Sequence, residues 1–320
     1  MNREYDVLCI GQADRDIILT NVPEEFFQRQ GDTFFCGKIV EKCGGDAANQ
    51  SIVLSALGDH AAFYGRIDPY EVGEKLISMF RENGVDTSLT VRDPECRNFS
   101  VVVTVEQNQR HAFLIGEGGH YGLEKKDLDY SLFAKTRAVM FGSLFCMGKL
   151  DSSDLKNILN VCFENKTLTV ADMTFDVDGI GAGAYDSLYE RIDYLIPSYS
   201  EALYVTGEKE PEKMADHFLR MGARHVIIKL GGDGCFYKDH KDSFSCGTYP
   251  IDPVDTTGCG DNFASGLVHS LLKGASSREA VRFAAACGAV NALGIGANGN
   301  VTSEQSVIDF IGRMPELSLS

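Results

Sequence analysis

Asp255-Thr256-Thr257-Gly258-Cys259-Gly260-Asp261 sets a glycine-rich turn directly before Asn262–Lys273, where Phe263, Leu267, Val268, Leu271 and Leu272 recur at helical spacing and Gly274 supplies a stop. A turn entering a helix aims backbone N–H groups and the positive end of the helix dipole at one point, which suits an anion. Asp261 is the odd member of the set. A carboxylate is disfavoured beside a simply bound phosphate. It makes sense as a general base, taking the proton of an attacking hydroxyl while the amides of Gly258, Cys259 and Gly260 stabilise a transferring phosphoryl group. The competing reading makes Asp261 an N-terminal helix cap.

Cys43-Gly44-Gly45-Asp46-Ala47-Ala48-Asn49 is a second glycine turn leading into a helical pattern. Asn49 offers one acceptor and two donors, enough to orient a diol, or is a plain polar residue in a first turn. Asp14 and Asp16 follow the first strand pattern two residues apart, so an extended segment points both to one side. An ionised carboxylate is the best acceptor for sugar hydroxyls, and a solvated acidic loop is the plainer alternative. Ser198-Tyr199-Ser200-Glu201 and Leu230-Gly231-Gly232-Asp233-Gly234 each follow a strand pattern. Glu201 suits a helix's first turn, the glycines suit a hairpin, and Lys229 before them reads as a phosphate contact or an exposed strand end. Asp172 ends another strand pattern and is a further candidate contact.

Several chemistries are absent. Gly294–Gly299 fits G-x-G-x-x-G, but the segment before it is helical in character, which excludes the dinucleotide fingerprint. No Walker A pattern occurs, the ten cysteines form no C-x-x-C pair, and the histidines have no ligand spacing. His120 and Arg97 flank the second β-rich stretch and read as surface residues.

Alternating strands and helices must carry these groups. Val7–Ile10, Ala61–Tyr64, Ala138–Gly142, Leu168–Ala171, Tyr194–Ile196 and Val226–Leu230 read as buried strands, with helices over 47–57, 72–83, 153–164 and 211–221. This pattern predicts an α/β fold, a mostly parallel sheet with helices on both faces, whose ligands bind at the carboxyl ends of the strands. Asp68-Pro69-Tyr70-Glu71 and Thr302-Ser303-Glu304-Gln305 predict helix starts at Asp68 and Thr302. Two regions break the rhythm: 17–22 with 33–41, and 99–106 with 111–116, the latter joined by a turn at Gln107-Asn108-Gln109. Both are too closely spaced for crossover helices and predict antiparallel pairs.

At 320 residues and 44% hydrophobic, the chain can bury a large core. A net charge of −16 argues against a nucleic-acid binder and requires an anionic ligand to find local help. The start lacks a signal peptide's apolar core and no apolar run reaches membrane length, so a cytoplasmic protein is expected.

The two glycine blocks, in this order and far apart, resemble the Asp-Thr-x-Gly-x-Gly-Asp and Gly-Gly-x-x-x-Asn signatures of the ribokinase (PfkB-like) carbohydrate kinase family, and the likeness runs from about Asp6 to Ile311. It implies one ribokinase-like kinase domain over 1–320, with a small antiparallel β lid from inserts at about 16–42 and 97–117 that often mediates dimerisation. It further implies ATP-dependent, Mg²⁺-requiring phosphorylation of a hydroxyl, primary in the expected case, of a sugar or sugar-like molecule. Asp261 is then the base; Asp14, Asp16, Gly44, Gly45 and Asn49 bind the acceptor; Ser198, Glu201, Lys229, Gly231, Gly232, Gly234 and Gly296 lie at the nucleotide. Glu201 would reach Mg²⁺ through water, and Asp255 and Thr257, with Gly296, would hold a monovalent cation such as K⁺. This chain departs from the pattern at Asp46, where ribokinase has a cation, at Ser198, where Asn is usual, and at Lys229, where Thr is common. Two other functions stay open: a nucleoside kinase, with Phe34, Phe35 or Phe99 against a base, and a non-catalytic nucleotide- or sugar-binding paralogue.

Overall fold

Val7, Leu8, Cys9 and Ile10 are wholly buried in the computed structural model, which describes residues 3–28, 31–106, 111–116, 122–176 and 178–320. Their strand, Tyr5–Ile10, lies inside an eight-stranded sheet. The strand order is Ser243–Cys246, Cys235–Asp239, His225–Lys229, Tyr194–Leu195, Leu168–Ala171, Thr136–Phe141, Tyr5–Ile10, Ala61–Tyr64. Pairing is parallel from Ala61–Tyr64 to His225–Lys229 and antiparallel across the last two strands. A strand buried on both faces needs no polar alternation, and its side chains feed two cores. Val7 and Cys9 pack with helices Asp46–Leu57 and Cys259–Leu272; Leu8 and Ile10 pack with helix Ser152–Asn165 on the other side.

A second sheet of four strands runs Ile39–Gly44, Asp14–Val22, Ser100–Glu106, His111–Ile115. Its outer pairs are antiparallel, as the spacing predicts, and its central pair is parallel. One expected strand shifts. The 33–41 segment becomes Ile39–Gly44, because its register is set by Asp14↔Gly44 through Leu19↔Ile39, and a short helix, Glu24–Phe27, occupies part of the connection. Asp14 and Asp16 therefore sit in a strand rather than in a loop, on its buried face with Ile18. The turn expected at Gln107–Gln109 and the contact considered for His120 lie outside the described residues.

Helix starts also move by a few residues. Asp68 accepts from Tyr70 N–H and Gly73 N–H through one oxygen and from Asn98 N–H through the other, while the helix runs Glu71–Glu82. Near the end, Ser303 and Ser306 form the reciprocal cap, one position later than Thr302 and Gln305. Among the described residues no helix is long and apolar enough to cross a membrane, and no group of three or more His, Cys, Asp or Glu could hold a metal ion.

Candidate active site

Helix Cys259–Leu272 begins earlier than its apolar spacing predicts, so Cys259, Gly260 and Asp261 form its first turn and Gly258 precedes it. Gly258 has φ +71, and a Cβ there would lie 2.4 Å from the Ala297 backbone. Only glycine satisfies both demands. The turn is braced on three sides. Asp255 accepts from Thr257 N–H at 2.9 Å and from Gly296 N–H at 2.8 Å; Asn262 Nδ2 donates to Gly258 O and Ala297 O; Asn291 Nδ2 donates to Thr257 O at 2.8 Å. Cys259 N–H donates to Thr256 O at 3.2 Å. That amide is engaged in closing the turn, which corrects the expected three-amide anion site.

Asp261 is not a side-chain cap: the helix has none. Its carboxylate crosses to helix Asp46–Leu57, where Asn49 Nδ2 donates to Oδ2 at 2.9 Å and Gln50 Nε2 to Oδ1 at 3.2 Å. Burial pushes Asp261 up to about 6, against the Asn49 and Gln50 bonds and the Lys229 charge, which pull down. A base near that value can be ionised at neutral pH and still take a proton. Asn49, expected to orient a diol, has both amide ends committed inside the protein, since its Oδ1 accepts from Asn298 Nδ2 at 2.7 Å.

Lys229 is no exposed strand end. Its Nζ donates to both oxygens of Asp172, at 2.7 and 2.6 Å, and a Cβ on Gly260 would lie 3.3 Å from it. The ammonium therefore stands over the first turn of the Asp261 helix. Burial works against its charge, but Asp172 and Glu201 hold it above its ordinary value. Asp46, the departure from the family pattern, hydrogen-bonds Ser143 Oγ; burial and then the Asp261 and Asp172 charges push it well above the carboxylate range.

On the small sheet, Asp14 and Asp16 converge over Gly44, where a Cβ would come within 2.3 Å of Asp14 Oδ1 and 2.6 Å of Asp16 Oδ1. Asp14 Oδ1 is buried without a hydrogen-bond partner. Burial, then the Asp16 charge, lift Asp14 well above its ordinary value, and burial lifts Asp16 to about 7. The pair therefore holds a proton more readily than a free carboxyl does. Gly45 enters the adjoining helix with φ +88.

Ser198 and Glu201 form a reciprocal cap on helix Tyr199–Thr206: Glu201 Oε2 accepts from Ser198 N–H at 2.6 Å. Glu201 still faces the cluster, since its charge acts on Lys229, Asp172 and Asp261. Gly231, Gly232 and Gly234 form the turn of an antiparallel pair, the hairpin alternative. Gly296 N–H donates to Asp255, and a Cβ there would lie 3.1 Å from Ile18 Cδ1 and 3.4 Å from Lys42 on the small sheet.

The sequence profile described as pfkB family carbohydrate kinase matches residues 5–304. The chain belongs to that family. As a member of this carbohydrate kinase family it is a phosphotransferase. A 6-phosphofructokinase of Thermoanaerobacterium thermosaccharolyticum is 26% identical over 92% of this chain and 90% of its own. Adenosine kinase from Sinorhizobium meliloti has the same fold at TM-score 0.81 and 20% identity, covering 96% of this chain and 99% of its own. So does Arabidopsis thaliana ribokinase, solved with ribose and ATP, at TM-score 0.76 and 21% identity over 97% and 99%.

Within this kinase, sequence reasoning missed Gln50, His111 and Asn298. Gln50 follows Asn49, and neighbouring helical residues do not share a face, so nothing aimed both at one carboxylate. His111, assigned no chemistry, lies on the small sheet with Nε2 3.0 Å from Thr256 Oγ1 and Nδ1 3.6 Å from Asp255 Oδ1. It joins that sheet to the glycine turn, a contact no spacing announces.

Proposed function

We propose that the chain transfers the terminal phosphoryl group of ATP to a primary hydroxyl of an uncharged sugar. The observation that carries this reading is Asp261 in the first turn of its helix, both oxygens held, beneath the Lys229 ammonium. Asp261 takes the hydroxyl proton as the acceptor oxygen bonds to the terminal phosphorus and the bond to ADP breaks. The Gly258 and Gly260 amides and Lys229 face the charge that develops on the phosphoryl oxygens, while positioning supplies most of the remaining acceleration. Ser198, Glu201 and the Gly231–Gly234 turn border the nucleotide in this reading. Glu201, beside Lys229 and Asp172, would hold Mg²⁺ through water, and the metal would neutralise phosphate charge when bound. A monovalent cation would use backbone oxygens near Asp255, Thr257 and Gly296 in this reading.

The small sheet serves as the lid over the acceptor, with Asp14, Asp16, Gly44 and Gly45 at the sugar. Crowded carboxyls with an unpartnered oxygen suit hydroxyl donors and repel a second phosphate or a carboxylate. The sheet also exposes Ile39, Phe113, Leu114 and Ile115, which a second copy covers in this reading. Light scattering that finds monomers at every concentration removes that part.

A nucleoside acceptor is the second reading. Phe34 packs edge-on to Phe26 and Phe35 is 91% exposed, so neither lines a base slot. Phe113 and Ile115, however, pair with Val103 and Val101 on the face that carries Asp16, and both are exposed.

ADP release with ATP and Mg²⁺ against ribose, fructose, other ketoses, sugar acids, nucleosides and sugar phosphates tests both. Release with a neutral sugar is expected. Release only with a nucleoside selects the second reading, and ATP binding by calorimetry with no ADP from any acceptor overturns the kinase.

A further inference from the structure

The Gly294–Gly299 loop fits a dinucleotide pattern by spacing and fills no such role. In the structure it threads between the small sheet and the first turn of the Asp261 helix. Gly296 N–H donates to Asp255, Ala297 O accepts from Asn262, and Lys42 Nζ donates to Asn298 O at 2.9 Å. The Asn298 side chain is buried, and its Nδ2 makes two bonds of 2.7 Å, to Cys43 O and to Asn49 Oδ1.

The polarity of these bonds is forced. A backbone carbonyl only accepts, so Cys43 O fixes which end of the Asn298 amide is the NH₂. The second N–H of that group then points at Asn49 and requires an acceptor. Asn49 must turn its oxygen toward Asn298 and its own NH₂ toward Asp261 Oδ2. Reversed, the Asn49 amide would present an oxygen to a buried carboxylate, and both contacts would become repulsive.

We propose that Asn298 is a positioning residue that orients the Asn49 amide and thereby holds a hydrogen-bond donor on Asp261. The proposal rests on Asp261 being the base only for its kinetic consequence; the relay itself is a statement about three side chains. Cys43 and Lys42 both belong to strand Ile39–Gly44, so the same residue ties the small sheet to the support of the base. Losing the donor weakens Asp261's carboxylate form, which the Asn49 bond favours against burial.

Two readouts on the full chain test this, and one needs no acceptor. The first is the titration midpoint of the Asp261 carboxyl, followed by carbon-13 NMR in the ligand-free protein. The charges facing Asp261 from its neighbours, Lys229, Asp172, Glu201, Asp46, Asp14 and Asp16, are untouched in every variant. Asn298→Ala and Asn49→Ala should raise the midpoint by the same amount, and the double variant no further, because both remove one bond. The second readout is turnover of D-ribose or D-fructose, where Asn298→Ala should lower kcat about tenfold and leave the sugar KM nearly unchanged. Asn298→Leu keeps the residue's approximate volume and removes both N–H donors without adding a charge, so it serves if the alanine variant fails to fold, and it should raise the midpoint as well. An unchanged midpoint in Asn298→Leu, or shifts of the two alanine variants that add in the double, overturns the relay. Absent turnover of every acceptor with the titration coupling intact fails the kinase reading and supports the relay.

Discussion

Two sets of buried carboxylates meet at the carboxyl edge of the main sheet, and they are treated in opposite ways. At the Asp261 end each oxygen accepts a side-chain amide, and a lysine stands nearby. At the acceptor end Asp14 and Asp16 crowd one another over Gly44, and Asp14 Oδ1 has no partner. Burial raises both sets, but bonds restrain Asp261 at about 6 while Asp14 rises well above its ordinary range. A satisfied carboxylate is fixed in place and ready for proton transfer. An unsatisfied one awaits donors, and sugar hydroxyls are donors. In the proposed reading, the stability given up where Asp14 and Asp16 meet is restored by the acceptor's hydroxyls.

The sharpest break of this contrast is Asp261→Asn. It should lower kcat by about 10³-fold or more, with ATP and acceptor still binding by calorimetry, since an amide keeps the shape and cannot take a proton. For the native enzyme, kcat should fall as pH drops through about 6, where Asp261 gains its proton.

Lys229→Met tests whether the cation belongs to the reaction or only to Asp172. We expect a loss of about 10²-fold in kcat. Adding Asp172→Asn should recover thermal stability, because no buried carboxylate is left unpaired, without recovering turnover. Recovery of both would make the ion pair structural.

At the acceptor end Asp16→Asn should raise the acceptor KM by about 10- to 100-fold with a smaller change in kcat, the range for losing a hydrogen bond to a charged group. Asp14→Asn should raise KM as well, and the ratio of the two effects reads how the pair divides its charge. Equal effects would show that the two carboxyls share the charge evenly.

The smallest effect concerns stability in the absence of ligand. Asp16 titrates near 7 folded against 3.8 for a free side chain, so the folded state binds more protons between those values. Its contribution is greatest below about pH 4 and is lost as pH rises toward 7. Asp16→Asn should therefore raise Tm by several degrees at pH 8, and the gain should vanish near pH 4. A gain independent of pH would point to packing instead of charge.

Much of the frame was legible because its signals are local. Continuous apolar runs such as Val7–Ile10 specify buried parallel strands, and Ala61–Tyr64 and Leu168–Ala171 have the bounds their pattern predicts. Glu201 likewise lies in a helix's first turn as its position predicts, and the structure adds Ser198 as its cap partner. The strand expected over 33–41 was misplaced because register depends on a partner strand, not on propensity. Lys229 could not be told from an exposed strand end because its partner, Asp172, lies 57 residues away.

By itself, the sequence determined the α/β alternation, the small antiparallel pairs and the two glycine turns, each of which follows from steric and hydrophobic rules acting over a few neighbouring residues. Only the tertiary structure decided that Asn49 serves Asp261, 212 positions away, that Asn298 orients Asn49 across 249, and that Asp14 and Asp16 close over Gly44 with an oxygen left unpaired. Hydrogen-bond polarity and desolvation act over a few ångströms of space whatever the separation along the chain, so they exist only once the fold has brought those residues together.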